Sequence, residues 1–527
     1  MAAIASAHPA ATAAGFEVLD AGGNAFDAAV AVTATLGVVE PSGSGLGGGG
    51  FWLLHRASDD RQVMLDGRER APLAAHRDLY LDEQGRFVPE LALNGPLAAG
   101  IPGEPAALVH LAKNYGRLPL ALSLAPAIRL AQEGFEVDAV MRRQLVWRRD
   151  ALAASPAASI QFLDDGQVPA LGYRIRQSDL AATLGRLAAN GHQGFYGGEV
   201  AELLVAGVRA AGGIWTLDDL QQYRAVERAP IIGHYRGWRL VSASPPSSGG
   251  VLLVQMLNML EQLNFDRSSG VGRLHLLVEV MRRAYRDRAL YLGDPDFVDM
   301  PIERLMHPFY AAGLIRDIRS DRATPSAGTP PPMEGMDTTH FSVLDREGNR
   351  VAATLSINYP FGSGFVAPGT GVLLNDEMDD FSAQPGVPNA YGLIGGEANA
   401  IAPGKRMLSS MTPTFAESEQ GVALLGTPGG SRIITMVLNA LLALDSGQTL
   451  ERLVANPRMH HQYLPDRIQY ELDAFSDAER EGLTALAHRL KAVPDGFGNM
   501  QAVYWDRQRG EVRAVSDPRG IGVAETR

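Results

Sequence analysis

Apolar residues recur at helical spacing near the start of the chain. From Pro9 to Val39 this spacing predicts two helices, which the pair Gly22-Gly23 separates because glycine is a poor helix former. Asn24 stands where the second helix would begin and can cap it with its side-chain oxygen. The glycine-rich stretch from Ser42 to Gly50 follows and predicts a loop.

The middle of the chain contains short strand patterns and longer helical ones. The region from about Glu104 to Tyr223 is predicted to be mostly helical, with short turns at Gly and Pro positions. The pattern further predicts strands over Phe51–His55, Gln62–Leu65, Trp238–Ser244 and Val422–Leu425, and helices over Val251–Leu263, Leu274–Leu292 and Arg432–Leu444.

The pattern changes before Thr338. Residues 323–337, ATPSAGTPPPMEGMD, are rich in Pro, Gly, Ser and Thr and have no apolar period, which predicts an exposed, weakly structured linker. Directly afterwards, Thr339–Leu344 and Val351–Ile357 alternate strongly, and Gly348 suits a turn between them, so these segments predict a hairpin. A linker therefore leads straight into a core strand.

Composition and charge exclude several classes of partner and chemistry. The chain has 527 residues, of which 46% are hydrophobic, and a formal net charge of −12, so it is globular and repels nucleic acid and anionic lipid. No stretch is long and apolar enough to span a membrane, and Met1–His8 lacks the features of an export signal. The absence of cysteine excludes thiolate nucleophiles and Cys-ligated metals, and it leaves the cellular compartment open.

Two motifs indicate cofactors only weakly. Gly43–Gly48 fits the pattern G-x-G-x-x-G, but a helix precedes it and a strand follows, which is the reverse of a dinucleotide site and favours a close backbone crossing. His460-His461 are adjacent, so their side chains point in different directions, and no carboxylate stands at metal-binding spacing. We therefore expect structural histidines, no metal and no cofactor.

Thr338-Thr339 allows two interpretations. A threonine pair at the start of a strand is usually structural, because β-branched residues favour strands. The junction with the linker favours a second interpretation, in which the Thr338 hydroxyl attacks the carbonyl of Asp337 in an N-to-O acyl shift and the ester is then hydrolysed. The free α-amine of Thr338, with a pKa of about 8, could then take the proton from its own hydroxyl.

The segment Thr427-Pro428-Gly429-Gly430 also allows two interpretations. It is either a simple turn between a strand and a helix or a place where successive backbone N–H groups point at one spot. A tetrahedral oxyanion needs such donors, each of which contributes about 3 kcal/mol. The second interpretation gains weight only if a nucleophile lies nearby.

These motifs together resemble the γ-glutamyltranspeptidase family along the whole chain. The resemblance rests on GGNAFDAAVA (22–31), GLGGGGF (45–51), DGRERAP (66–72), PPSSGG (245–250), YLGDPDFV (291–298), DTTHFSVLD (337–345), LLNDEMDDFS (373–382), LSSMTPT (408–414) and TPGGSRI (427–433). It implies an α+β fold of the N-terminal-nucleophile hydrolase type, an αββα sandwich. It also implies cleavage between Asp337 and Thr338 into a large subunit (1–337) and a small one (338–527), which form one folded heterodimer.

The resemblance implies a role for each matching residue. Thr338 would be the nucleophile, Ser356 would supply the orienting hydroxyl where the family usually has Thr, and Gly429 and Gly430 would form the oxyanion hole. The remaining matches are Arg68, Ser409 and Ser410 for the substrate α-carboxylate, and Asn358, Glu377 and Asp380 for its α-ammonium group.

The predicted donors are small γ-glutamyl compounds such as glutathione, and the acceptors are water, amino acids or peptides. Residues 384–399 resemble the lid over the glutamyl pocket, and position 377 often holds Gln in bacterial members. Two alternatives remain: a glutaryl or cephalosporin acylase of the same fold, and an uncleaved, non-enzymatic paralogue. Bacterial relatives are typically exported, which the sequence of this chain does not itself indicate.

Overall fold

The computed structural model describes residues 1–263, 265–327, 338–384, 386–389 and 392–527. The helices are α1 Pro9–Asp20, α2 Ala25–Val39, α3 Pro89–Leu93, α4 Glu104–Asn114, α5 Leu120–Glu133, α6 Ala139–Ala153, α7 Pro156–Phe162, α8 Ser178–Asn190, α9 Gln193–Tyr196, α10 Gly198–Ala210, α11 Leu217–Gln221, α12 Gly249–Gln262, α13 Gly270–Tyr291, α14 Ile302–Leu305, α15 Pro308–Leu314, α16 Ile433–Asp445, α17 Leu450–Ala455 and α18 Asp477–Ala485. The strands are β1 Ala3–Ser6, β2 Gly49–Arg56, β3 Arg61–Gly67, β4 Phe135–Glu136, β5 Arg174–Ile175, β6 Val226–Arg228, β7 Ile231–Tyr235, β8 Trp238–Ser242, β9 Thr339–Leu344, β10 Arg350–Ser356, β11 Thr414–Glu417, β12 Gly421–Leu425, β13 Met459–His460, β14 Ile468–Tyr470, β15 Leu490–Ala492, β16 Gln501–Asp506, β17 Glu511–Ser516 and β18 Val523–Thr526.

Two large sheets form the centre of the fold. The seven-stranded sheet has the order β18-β1-β9-β10-β2-β3-β6, and the six-stranded sheet has the order β17-β16-β12-β11-β8-β7. One apolar core packs α1, α2 and the helices between Glu104 and Ala210 on the first sheet, and a second core contains both sheets together with α12, α13 and α16. The predicted α+β sandwich is confirmed.

The first two helices form as the sequence predicts. The Asn24 side chain accepts hydrogen bonds from the N–H groups of Phe26 and Asp27, and the Asp27 carboxylate accepts one from Asn24 N–H. This capping box satisfies N–H groups that the first turn of a helix leaves unpaired. The separating turn contains Gly22 at φ +93°, in the left-handed region that glycine tolerates.

The predicted hairpin is β9–β10, and it is buried on both faces. Most of its apolar residues, including Phe341, belong to the core under the first helix layer, whereas Leu344 and Ala352 belong to the second core. Its polar residues face the other way, where His340 bonds to Thr354 and the Ser342 hydroxyl donates to the carbonyl of Gln501 in the second sheet. The polar half of the alternation thus marks the contact between two sheets instead of a solvated face.

The glycine-rich loop connects α2 to β2, in the predicted order of helix, loop and strand. Its backbone passes very close to the backbone of two other segments. A Cβ at Gly47 would stand 1.9 Å from the carbonyl oxygen of Leu373, and one at Gly48 would stand 2.2 Å from that of Ser356. Only glycine allows this approach, which brings the loop against the end of β10.

The predicted linker is only partly described, because residues 328–337 lie outside the described residues. The first residues of the linker are held by hydrogen bonds, although their composition predicts a weakly structured segment. Thr324 N–H donates to Glu279, and Ser326 N–H donates to Asp466. Among the described residues, no helix is both long and apolar enough to cross a membrane.

Candidate active site

Thr338 and Ser356 lie side by side at one end of the central hairpin. Thr338 directly precedes β9 and Ser356 ends β10, and their hydroxyl oxygens are 3.4 Å apart. The Ser356 hydroxyl also accepts a hydrogen bond of 2.8 Å from Asn358 N–H, which fixes its position. Both residues are buried, and the Ser356 hydroxyl is an oriented polar neighbour of the Thr338 hydroxyl.

The Gly429-Gly430 turn lies at the same cavity. Gly429 has φ +136° and Gly430 has φ +56°, conformations that favour glycine over any residue with a Cβ. A short 3-10 turn over Gly430–Arg432 then leads into α16. Gly430 lines the cavity together with Thr338, so the N-terminal end of this helical segment approaches the nucleophile.

The charged residues predicted for substrate recognition pair with one another. Arg68 Nη1 lies 2.6 Å from Glu377 Oε2, and its Nη2 lies 2.6 Å from Asp380 Oδ2. Arg68 and Glu377 are each about 1% exposed. Burial raises the pKa of Glu377 to about 7, although the Arg68 guanidinium acts in the opposite direction. A ligand must therefore exchange partners with a pre-formed ion cluster.

Asn358 reaches the cavity in a conformation that is uncommon for its residue type. Its φ is +73°, and two hydrogen bonds hold it there: its N–H donates to the Ser356 hydroxyl, and its Nδ2 donates to the Asp376 carbonyl at 3.0 Å. A non-glycine residue held at positive φ costs on the order of 1 kcal/mol and tends to mark a functional position.

The serine pair is positioned by two other segments, the PPSSGG motif and α13. Ser409 N–H donates to the Pro246 carbonyl, and Arg288 Nη2 donates to the Ser410 hydroxyl at 3.2 Å. Arg288 lies on α13 and is buried, so it places a second guanidinium close to Arg68. In the sequence, Arg288 lies within the helix predicted over Leu274–Leu292, and none of the quoted motifs contains it.

One cavity brings together nearly all of the predicted site residues. It is lined by Arg68, Thr338, Ser356, Asn358, Glu377, Asp380, Ser409, Ser410 and Gly430, with Gly429 next in sequence, and also by Leu393, Met411, Ser431 and Ile433, which the sequence reasoning did not identify. Leu393 falls in the segment that resembles the lid, and Met411, Ser431 and Ile433 fall in the motifs LSSMTPT and TPGGSRI. None of the four was given a role, because a motif marks a segment and only the fold shows which of its side chains line the cavity.

The whole chain also matches known proteins. The family described as gamma-glutamyltranspeptidase matches residues 11–526. The chain belongs to the γ-glutamyltranspeptidase family. Its similarity to the glutathione hydrolase proenzyme of Pseudomonas sp. (strain A14) is 45% identity over 504 residues, covering 93% of this chain and 86% of that protein. With the glutathione hydrolase proenzyme of Escherichia coli (strain K12), identity is 41%, covering 98% of this chain and 90% of that protein.

A solved structure in the same fold supports the architecture. The cephalosporin acylase from Bacillus halodurans superimposes with a TM-score of 0.89 at 29% identity, covering 99% of this chain and 95% of that one. As a γ-glutamyltranspeptidase family member, the chain is an enzyme of the N-terminal-nucleophile hydrolase class, so the predicted family and fold are confirmed. The individual residue roles stay predictions, and Asp337 lies outside the described residues.

The segment that resembles the family's lid lies against the recognition cluster. Of residues 384–399, positions 385, 390 and 391 lie outside the described residues. Leu393 lines the cavity, and the Asn389 Nδ2 donates to Asp380 Oδ1 at 3.0 Å. The cavity has a volume of about 20 Å³, which is room for roughly one water molecule. A donor can enter only if the surrounding side chains move.

The remaining histidines have structural surroundings. His460 bonds to Thr435 and Gln462, and His461 bonds to Asp466. Among the described residues, His275, Glu279 and His488 are the group close enough together to hold a metal ion. The Glu279 carboxylate already pairs with Arg282 and Arg283, so a cation there would compete with two guanidinium groups.

Proposed function

We propose that this enzyme is a γ-glutamyltransferase and glutathione hydrolase that matures by cleaving its own bond between Asp337 and Thr338. One observation carries the proposal: a single buried cavity contains both a candidate nucleophile, Thr338, and a cluster of opposite charges, Arg68 with Glu377 and Asp380. The first supplies reactivity, and the second suits a ligand that carries a carboxylate and an ammonium group on one carbon.

Maturation begins when the Thr338 hydroxyl attacks the Asp337 carbonyl carbon. The C–N bond breaks as the new C–O bond forms, and water then hydrolyses the ester. Residues 1–337 become the large subunit and residues 338–527 the small one, and the two remain together as a heterodimer. Ser356 supports this step because its hydroxyl lies within reach of the attacking oxygen.

Turnover uses the same oxygen on a substrate amide. Thr338 Oγ attacks the γ-carbonyl of the donor, and the free α-amine of Thr338 accepts the proton and later delivers it to the leaving amine. The N–H groups of Gly429 and Gly430 stabilise the oxyanion. Water then releases glutamate from the ester, whereas an amino acid or peptide acceptor gives a new γ-glutamyl product.

Recognition depends on exchanging ion pairs. The α-carboxylate of the donor pairs with the Arg68 guanidinium, whose planar fork suits a carboxylate. Ser409 and Ser410 bind the same carboxylate. The α-ammonium group of the donor pairs with the carboxylates of Glu377 and Asp380 and also contacts Asn358. A ligand that lacks the ammonium group leaves a buried carboxylate without a partner, which is costly. Small γ-glutamyl donors such as glutathione meet all of these requirements.

The acylase alternative has support of its own, because the chain superimposes on a cephalosporin acylase over nearly its full length. Two considerations favour activity on γ-glutamyl donors. Two glutathione hydrolase proenzymes are more similar to this chain, at 45% and 41% identity, than the acylase ACY 1 proenzyme of Pseudomonas sp. (strain V22), at 36%. The carboxylates Glu377 and Asp380 would also have no partner on a glutaryl group.

The deciding experiment compares two chromogenic amides. Initial rates of anilide release from γ-glutamyl and glutaryl p-nitroanilide would be measured with the same preparation, and Thr338→Ala would serve as the blank. We expect faster γ-glutamyl cleavage that depends on Thr338. A preference for the glutaryl substrate would assign the chain to the acylases, and no Thr338-dependent rate on either would indicate a non-enzymatic paralogue.

A further inference from the structure

A partly buried acid lies beside the peptide of the candidate nucleophile and has no place in the mechanism above. Glu40 directly follows the last residue of α2 and stands two residues before the glycine-rich loop. Its Oε2 atom is buried and has no hydrogen-bond partner among the residues that the structure describes. Burying a carboxyl oxygen without a hydrogen-bond partner costs free energy, so an oxygen in this state calls for a functional explanation.

Gly43 brings this carboxyl and the nucleophile together. The position that a Gly43 Cβ would occupy lies 3.5 Å from Glu40 Cδ, 3.5 Å from the Thr338 carbonyl oxygen and 3.6 Å from the Thr338 carbonyl carbon. The α-nitrogen of Thr338 is two bonds from that carbon. The acid is therefore close to the atoms on which self-cleavage acts.

The groups around Glu40 favour a carboxyl that changes charge near neutral pH. Burial is the largest effect and raises the pKa of Glu40 to about 7; the Thr339 hydroxyl on β9 opposes it, and Asp138 at the start of α6 adds to it. His8, at the start of α1, is influenced by the same Asp138, but burial lowers its pKa to about 4, so it is neutral at pH 7. No cation among these neighbours neutralises Glu40.

We infer that Glu40 is a positioning residue for self-cleavage at Thr338, and that its carboxylate is the counter-charge for the α-ammonium group which the cleavage creates. The inference rests on the proposed self-cleavage. It adds a residue that acts on the amine of Thr338, separate from those that contact the substrate.

The chemistry explains why a counter-charge would help. In the acyl shift, the Asp337 carbon forms a bond to Thr338 Oγ and loses its bond to the nitrogen, and the hydroxyl proton moves to that nitrogen. A second proton from solvent gives the ammonium form, which cannot attack the ester in reverse. A nearby carboxylate stabilises this form and draws the equilibrium toward the ester. Water then adds to the ester, giving the Asp337 carboxylate and restoring the Thr338 hydroxyl.

The same carboxylate has the opposite effect on turnover. It raises the pKa of the freed amine, because it stabilises the charged form, and a protonated amine cannot accept the hydroxyl proton. Removing the charge at Glu40 should slow maturation and at the same time extend turnover to lower pH. A residue that only supports the fold would not change these two steps in opposite directions.

The test uses Glu40→Gln, which keeps the size of the side chain and removes its charge. Full-length chain labelled during cell-free synthesis would be followed on denaturing gels at pH 6, 7 and 8. We expect wild-type cleavage to speed up between pH 6 and 8 as Glu40 ionises, and the variant to be about tenfold slower at pH 8 with no such rise. In the matured variant, the acid limb of kcat/KM should move to lower pH by about one unit.

Three controls separate the outcomes. Glu104→Gln neutralises a buried acid, which faces Gly37 and Gly45 under the same loop, and should cleave at the wild-type rate. Thr338→Ala should not cleave. Glu40→Gln introduced into Thr338→Ala should unfold at the same temperature as Thr338→Ala alone, and a clear drop would attribute slow cleavage to misfolding and overturn the inference.

The cleavage rates also distinguish failure of the role of Glu40 from failure of the proposed self-cleavage. A Glu40→Gln chain that cleaves at the wild-type rate, or more slowly with the wild-type pH dependence, overturns the role of Glu40 while the proposed function stands. If the wild-type chain does not cleave at Thr338 at all, the proposed maturation is wrong, and the role of Glu40 falls with it.

Discussion

At the scale of single residues, the nucleophile and the charged recognition residues make different contacts. The hydroxyl oxygens of Thr338 and Ser356 are 3.4 Å apart, whereas the Arg68 guanidinium pairs with two carboxylates at 2.6 Å. Reactivity and recognition are therefore controlled by different contacts. Changes at Ser356 should affect rate constants, and changes at Glu377 should affect donor binding.

Ser356→Ala removes the hydroxyl next to the nucleophile. We expect kcat to fall by about 10- to 100-fold, because a hydrogen bond to a developing charge contributes roughly 1.5–3 kcal/mol. Ser356→Thr keeps the hydroxyl and should retain most of the activity. Steady-state kinetics with γ-glutamyl p-nitroanilide would check this, and a fully active Ser356→Ala enzyme would contradict the role.

Glu377→Gln tests the pH dependence of donor binding. Because burial raises the pKa of Glu377 to about 7, the side chain is mostly neutral at pH 6 and mostly charged at pH 8. The wild-type KM for a γ-glutamyl donor should therefore fall several-fold between pH 6 and 8, as the carboxylate becomes available to the ammonium group. In the glutamine variant this change should vanish; the same slope in both enzymes would exclude Glu377 as its origin.

At the scale of elements, a loop and a hairpin position the nucleophile. The loop before β2 passes so close to Ser356 and Leu373 that it tolerates no side chain at Gly47 or Gly48. The β9–β10 pairing then fixes the distance between Thr338 and Ser356, since Thr339 is paired with Leu355. Backbone packing, more than side-chain bonding, sets this geometry.

Gly48→Ala should disturb this arrangement. Its Cβ would stand 2.2 Å from the Ser356 carbonyl oxygen, so the end of β10 must shift. We expect loss of self-cleavage together with a lower unfolding temperature, because overpacking typically costs about 1–3 kcal/mol. Gly185→Ala in α8, where an added Cβ meets nothing within 4 Å, is the matched control and should leave both properties intact. An active, stable Gly48→Ala protein would show that the loop can adjust.

At the scale of the whole molecule, the two predicted subunits share both sheets. The seven-stranded sheet takes β1, β2, β3 and β6 from residues before Thr338, and β9, β10 and β18 from residues after it. The six-stranded sheet is mixed in the same way, with β7 and β8 from the first part. A cut before Thr338 would leave each sheet with strands from two chains.

The cleaved enzyme should therefore behave as one folding unit. We expect the two fragments to co-elute as a 1:1 complex in size-exclusion chromatography and to unfold in a single thermal transition, because neither half contains a complete core. Denaturing gels of the eluted peak would identify both fragments. Separation of the fragments without denaturant would contradict this expectation.

Much of the fold and the site follows from local sequence. Helical spacing located α1, α2 and α16, the capping residue Asn24 marked the start of α2, and the junction of linker and strand pointed to Thr338. The resemblance to the family, carried by its motifs, pointed to the charged and serine side chains of the site. Local patterns specify such features since they depend on neighbours within a few residues.

Only the tertiary structure decided which of these groups meet. Arg68 pairs with Glu377 and Asp380, which are 309 and 312 residues away, although the sequence suggested that each would be free for substrate. The placement of Glu40 beside Thr338 and of Arg288 beside Ser410 likewise depends on sheet order and loop packing. No periodicity encodes such contacts, because they arise when distant segments bury their apolar faces together. The resulting burial also raises the pKa of Glu40 and of Glu377 to about 7, so the charge of each carboxyl changes near neutral pH.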